Sequence, residues 1–232
     1  MSELSVAVLT GGHRHHVIQF IDFFTSLDGV NAYVFNIRDW LTPVGLDDRR
    51  YFAGSQAVHD EVRDGFDVTV FYTMTQQGPD EDERACVERL IDNGQSIFVL
   101  HHSMLHWRYD DRWGSIMGLG GARWVQDVDC GGPVNGVWFG KVPVKVNTDH
   151  PLAAGLADFE IEDETYLIRD CEDDCDVLLT TDRPNSMRTI AWTRMEGDSR
   201  IFCLQLGHDP QSWSHPAFRT VVQNGLQWCG GS

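Results

Sequence analysis

A chain of 232 residues, 42% hydrophobic and 11% aromatic, is long enough to close a substantial core. Its 35 Asp and Glu against 18 Lys and Arg give a net charge of −17, a field that repels phosphate backbones and anionic lipid and so argues against nucleic-acid and membrane partners. No apolar run approaches the roughly 18 residues of a membrane span, and the N-terminus lacks the basic, apolar and small-residue order of a secretory leader, so a cytoplasmic location is expected.

Ser5 to Leu9 reads as a first strand ending in Thr10-Gly11-Gly12. Val17, Ile18, Phe20, Ile21, Phe24 and Leu27 recur at helical spacing up to Asp28-Gly29. Ala32 to Asn36 is a second strand, and a less decided segment follows with Pro43, Gly45 and a helix near Gln56 to Arg63. Val68 to Tyr72 is a third strand, Glu81 to Ile91 a helix closed by Asn93-Gly94, and Ser96 to Leu100 a fourth strand of the fully buried type. Strands alternating with helices at this pace imply a parallel sheet with right-handed crossovers.

The second half changes character. After a helix from Tyr109 to Met117 and a Gly- and Trp-rich stretch from Gly118 to Gly140, strands are expected at Val142 to Val146, Thr165 to Ile168, Val177 to Thr181, Thr189 to Thr193 and Arg200 to Leu206. The intervals are too short for helical crossovers, so an antiparallel extension is expected. A final helix spans His215 to Trp228, capped by Ser214. With no internal repeat and no low-complexity linker, residues 1–232 read as a single domain.

Seven of the ten histidines stand in three stretches, Gly12 to His16, His101 to His106 and Gly207-His208-Asp209, each directly after an apolar run. In an open parallel sheet the carboxyl ends of the strands share one edge, so these distant stretches can meet in one pocket. Imidazole titrates near neutrality and offers two distinct nitrogens. Three or four such groups with a carboxylate satisfy a zinc-type site with an open position. The candidate ligands of a divalent metal, zinc or similar, are His15, His101, His208 and Glu164; His101, His208 and Glu164 are equally candidates for direct acid and base work. His13, His16, His102 and His106 read as neighbours that orient, line or pack.

Ser96 to Ser103 occupies the position of a nucleophile elbow without its glycines, which leaves Ser103 as a helix-capping hydroxyl rather than a nucleophile. The six cysteines show no Cys-x-x-Cys pairing and suit scattered reduced thiols without a catalytic role. Trp107, Trp113, Trp124, Trp138 and Trp213 flank the histidine stretches, and sugar rings pack apolar C–H faces on indole, so the pocket suits a small-molecule carbohydrate. Trp107 and Trp213, with Tyr166 and Asp127, are the candidate substrate-binding residues. No nucleotide cofactor is indicated, and a homodimer or higher homo-oligomer is expected.

Val8 to Gly12 with His15, Ile97 to His101, Asp149-His150-Pro151-Leu152 with Gly155-Leu156, Asp163 to Tyr166, Ile190 to Thr193, and Arg200 to Phe202 leading to Leu206 to Asp209, with Trp213 and Pro216-Ala217-Phe218, together resemble the trehalose-utilisation ThuA-like family over almost the whole chain. The resemblance implies a flavodoxin-like, class I glutamine-amidotransferase-like three-layer α/β sandwich. Its central sheet would be mostly parallel, with an antiparallel extension in the C-terminal half. It also implies that the usual cysteine nucleophile has been replaced by a histidine near the elbow, here His101, so that the chain is not a glutamine amidotransferase. The implied role is in catabolism of trehalose or related disaccharides and their keto derivatives, as a sugar isomerase, lyase or hydrolase. Relatives often carry a histidine where this chain has Gly120 to Asp127, which points to Asp127 as a replacement ligand. The alternative is a non-catalytic sugar-binding or regulatory protein on the same scaffold.

Overall fold

The computed structural model describes residues 3–41, 62–120 and 137–231. Pro43, Gly45, most of the helix expected near Gln56 to Arg63, Trp124, Asp127 and Cys130 lie outside them, as does the side chain of Trp138.

The first half alternates strand and helix. Strands β1 (Leu4–Gly11), β2 (Val30–Asn36), β3 (Val68–Thr73) and β4 (Ser96–Leu100) are joined through helices α1 (Val17–Thr25), α2 (Ile37–Leu41) and α3 (Glu81–Asp92). A 3₁₀ turn (His101–Leu105) and helix α4 (Asp111–Met117) follow. Then come β5 (Val137–Val146), β6 (Phe159–Tyr166), β7 (Asp176–Thr180), β8 (Thr189–Glu196) and β9 (Ser199–Leu204), and the chain closes with α5 (Pro210–Ser214) and α6 (Pro216–Cys229). The nine strands form one sheet in the order β2-β1-β3-β4-β9-β8-β7-β5-β6.

Strand patterning explains the layering. Alternate residues of each central strand point to opposite faces. Val6, Val8, Val70, Phe98, Leu100, Phe202 and Leu204 therefore meet Phe20, Phe23 and Phe24 of α1 and Phe218, Val221, Val222 and Leu226 of α6. Ala7, Leu9, Phe71, Ile97, Val99, Ile201 and Cys203 meet α2, α3 and α4 through Trp40, Leu90, Trp113 and Ile116 on the other face. A sheet between two helical layers must be apolar on both sides, which is why these strands read as continuous apolar runs.

The sheet is mixed rather than mostly parallel. Four ladders, β2–β1, β1–β3, β3–β4 and β4–β9, are parallel. The four ladders that add β8, β7, β5 and β6 are antiparallel. β5 pairs with β6 along Val137 to Val144 but with β7 only through Lys145 and Val146.

Four expected elements change, the first being β5, which begins at Val137 rather than Val142. The strand expected at Thr165 to Ile168 begins instead at Phe159 and ends at Tyr166. Its acidic residues alternate, with Glu160 and Glu162 outward and Ile161, Asp163 and Thr165 buried, and Lys141 on β5 pairs with Glu160 at 2.8 Å. Ser214 does not cap the last helix: it ends α5, and His215 takes the cap position of α6 without a side-chain bond. Asp209 opens α5 by accepting from the Gln211 amide at 2.9 Å, so a short helix occupies what read as loop. No helix among the described residues is long and apolar enough to cross a membrane.

Candidate functional site

β1, β4 and β9 are parallel neighbours or near-neighbours, so the segments after them emerge at one edge of the sheet. His101 follows β4 at the point where the chain breaks into the 3₁₀ turn, with φ of +54°, an unusual left-handed conformation for a side chain of this size. The turn is tied to the end of β3 because the Ser103 hydroxyl donates to the Thr73 carbonyl at 3.1 Å and accepts from the Thr73 amide at 2.6 Å. That use consumes Ser103 structurally. His106 Nδ1 accepts from the Thr75 amide at 2.9 Å and does the same for the other end of the turn.

His101 is fully buried, and burial holds its imidazole well below the ordinary range, so the ring is neutral. Nδ1 donates to the Gln205 carbonyl at 2.7 Å, which leaves the lone pair on Nε2. Nε2 accepts from the Tyr166 hydroxyl at 2.7 Å and lies 3.7 Å from Glu164 Oε1. The other oxygen of Glu164 lies 3.3 Å from His208 Nε2. His101, Glu164 and His208 each offer a ligand atom, and these atoms lie within 4.8 Å of one another.

A buried layer holds these groups. Gly207, with φ of +122°, turns the chain after β9; an added Cβ would meet Leu100 and Phe218 at 3.2 Å. The amides of Gly207 and His208 donate to the Asp163 carboxylate at 2.7 and 3.1 Å, and the Glu164 amide donates to it at 2.7 Å. Asp163 is wholly buried, and burial pushes its carboxyl up to about 6 despite these donors. The Tyr72 hydroxyl donates to the Gly207 and His208 carbonyls at 3.2 and 3.1 Å. Gln205 closes the network by accepting the Tyr166 amide at 2.7 Å. Sequence reasoning does not single out Asp163, Tyr72 or Gln205 as site residues. Asp163 shares the inward phase of Ile161 and Thr165, and that alternation is the available signal.

The expected residues fall into distinct places. His101, His208 and Glu164 come together. His15 does not join them: β3 runs between β1 and β4, and its Tyr72 ring intervenes, 5.7 Å from His15 and 6.4 Å from His101. From the same loop it is His13 that approaches, with its ring 4.7 Å from His102 and 6.5 Å from His208. His102 is buried against Tyr72 at 4.2 Å, and neither of its ring nitrogens has a hydrogen-bond partner among the described residues. Tyr166 bonds His101 rather than opening to the pocket. Trp213 is buried and donates its indole N–H to the Gly207 carbonyl at 2.8 Å; Trp113 donates to the Ser103 carbonyl at 2.9 Å. Trp107 is buried on the His106 ring at 4.2 Å. These three indoles are packing residues. Among the described residues no cysteine forms a disulfide.

This chain is similar in structure to ThuA-like proteins of Parabacteroides merdae (TM-score 0.70, 16% identity, 99% of this chain and 90% of that one) and Bacteroides uniformis (TM-score 0.69, 17% identity, 98% and 91%). It is also similar in fold to the glutaminase domain of the Trypanosoma brucei CTPS (TM-score 0.55, 11% identity, 98% and 94%). No curated protein matches the chain. The model of the ThuA family, described as trehalose utilisation, matches residues 6–229. The chain belongs to the ThuA family.

Proposed function

We propose that this protein is a carbohydrate-processing enzyme that holds a divalent metal, zinc or similar, through His101 Nε2, His208 Nε2 and the Glu164 carboxylate. The observation that carries the reading is the convergence of those three ligand atoms within 4.8 Å. The donor set fits the ion: two imidazoles and one carboxylate leave coordination positions open for substrate or water. His101 also has the support typical of a metal-bound imidazole, since its Nδ1–H is spent on the Gln205 carbonyl and its ring cannot turn away. A metal bound there supplies Lewis-acid polarisation of a carbonyl or hydroxyl oxygen. The Asp163 clasp on the Gly207 and His208 amides sets the direction of the His208 ring, and burial around His101 excludes bulk water from its side of the site. Membership in a family described as trehalose utilisation supports a disaccharide or its keto derivative as substrate class.

A second reading is favoured by the Tyr166 hydroxyl, which occupies the lone pair that a metal would need. In that reading His208 and Glu164 exchange a proton with the substrate directly, and His101 stays a neutral acceptor. Metal analysis of protein purified without a His tag tests the choice. Near-stoichiometric metal that is lost in His208→Ala and Glu164→Gln is expected; less than about a tenth of an equivalent, unchanged in both variants, refutes metal binding. Turnover of trehalose, related disaccharides or their 3-keto derivatives that disappears in His101→Ala distinguishes an enzyme from a sugar-binding protein.

A further inference from the structure

Trp107, Trp113 and Trp213 are covered, so a sugar ring in the pocket needs a flat apolar surface other than these three indoles. Phe139 on β5 meets that need. It is directly opposite Glu164 in the β5–β6 ladder, and residues facing one another in an antiparallel pair project from the same face of the sheet. Its ring lies 5.9 Å from that of His208, edge to face. Half of Phe139 is exposed to solvent. A large aromatic held in water beside an imidazole and a carboxylate has a hydrophobic cost that burial by a ligand removes. Among the described residues the other exposed aromatics, Tyr33 and Tyr109, belong to β2 and to the segment after His106, outside this face.

We infer that Phe139 is the platform on which the substrate ring stacks, resting on the carbohydrate reading above: a pyranose lies with one apolar C–H face on the phenyl ring and directs its hydroxyls toward His208 and Glu164. Aliphatic C–H groups pack on an aromatic face without an unpaired polar atom, while the hydroxyl edge needs the polar groups beside it. The arrangement selects a ring with a continuous C–H face over an open-chain polyol. It also explains how an acidic chain of net charge −17 recognises an uncharged ligand, by shape and stacking rather than by a cation.

Saturation-transfer NMR and calorimetry of the wild-type protein as purified with trehalose, methyl α-glucoside, 3-keto-trehalose and, as open-chain control, sorbitol test the inference. The expected result is saturation concentrated on the C–H protons of one pyranose face, with little on sorbitol. Phe139→Ala and Phe139→Leu are expected to weaken binding about ten-fold, whereas Phe139→Trp retains it. The leucine variant keeps apolar bulk at an exposed position, so it reports on the flat ring even if the alanine variant is poorly folded. Sugar binding of equal strength in wild type and Phe139→Leu overturns the platform and leaves the carbohydrate reading standing. No binding of any cyclic sugar by the wild type overturns both.

Discussion

The Tyr166 hydroxyl lies 2.7 Å from His101 Nε2, on the ring's one lone pair, the Nδ1–H being donated to the Gln205 carbonyl. A metal ligand and a hydrogen-bond acceptor cannot be the same electron pair, so the two compete. Tyr166→Phe removes the competitor, and a single hydrogen bond contributes about 1 kcal/mol. Zinc affinity measured by competition with a chromophoric chelator is expected to rise about five-fold. A loss of affinity instead would mean that the hydroxyl supports the metal rather than opposing it.

Asp163 is expected to set site geometry from beneath. Its carboxylate accepts the amides of Gly207, His208 and Glu164, and Asp163→Ala leaves those buried donors without their acceptor. Loss of charged, buried hydrogen bonds of this kind costs about 3 kcal/mol, which for a chain of 232 residues lowers the melting temperature by roughly 6–12 °C. Calorimetry checks the stability, and substrate turnover is expected to fall with it because His208 is released. An unshifted melting temperature would place the clasp outside the folded core.

Burial holds His101 and His102 well below the ordinary imidazole value of 6.5. Unfolded, both rings take up protons near 6.5; folded, they do so only at lower pH. In that window the unfolded chain binds more protons, so stability present above 6.5 is lost as pH falls, at about 1.4 kcal/mol per pH unit for each ring. Asp163 works the other way: its carboxyl, raised from 3.8 to about 6, destabilises the fold as pH rises through that interval. Burial lowers His13, His15 and His150 as well, so the imidazoles outweigh the one raised carboxyl and leave a net loss on acidification of the metal-free protein. His102→Leu removes one ring and its two unpartnered nitrogens. Urea titrations at pH 7 and 5.5 are expected to show a shallower pH dependence in this variant and, at pH 7, a gain of about 1 kcal/mol. Equal pH dependence in the two proteins would show that His102 is protonated alike in both states.

Gly12 carries the histidine loop past the end of β3. Its φ is +74°, and a Cβ there would stand 2.3 Å from the Met74 carbonyl oxygen, a backbone atom that cannot swing aside. Gly12→Ala is therefore expected to cost about 2 kcal/mol and to move His13 away from His102. Thermal melting reads the first effect, and loss of the His13 to His102 cross-peak in a ring-proton NOE spectrum reads the second. Retention of both would mean that the loop relaxes without strain.

The central strands and the convergence of His101 with His208 were legible because buried strands next to helices leave uninterrupted apolar runs, and because Gly207 marks a sharp turn after one of them. The choice of His13 over His15 was not. Loop residues carry no periodicity, and nothing in the spacing shows that Tyr72 of β3 stands between the first loop and His101. The acidic start of β6 hid a strand, since Glu160 and Glu162 dominate its composition while the buried alternates Ile161, Asp163 and Thr165 carry its pattern. For Trp107, Trp113 and Trp213 the sequence supplies an aromatic ring near a histidine, but burial decides whether its face is available, and packing against His106, Phe71 and Phe20 removes it.

The carboxylate and the imidazoles belong to parts of the sheet that share few ladder bonds and are held together by side chains, Asp163 accepting the Gly207 and His208 amides and Gln205 that of Tyr166. Glu164 rides on a β5–β6 hairpin whose ladder to β7 runs through Lys145 and Val146, whereas His101 and His208 rise from adjacent parallel strands at the middle of the sheet. Whatever bridges Glu164 to both imidazoles spans the same seam that the Asp163 carboxylate already fastens. Occupancy of the pocket then adds a second tie across that seam, and exchange of the Val137 to Val144 amides with solvent slows further when ligand is bound.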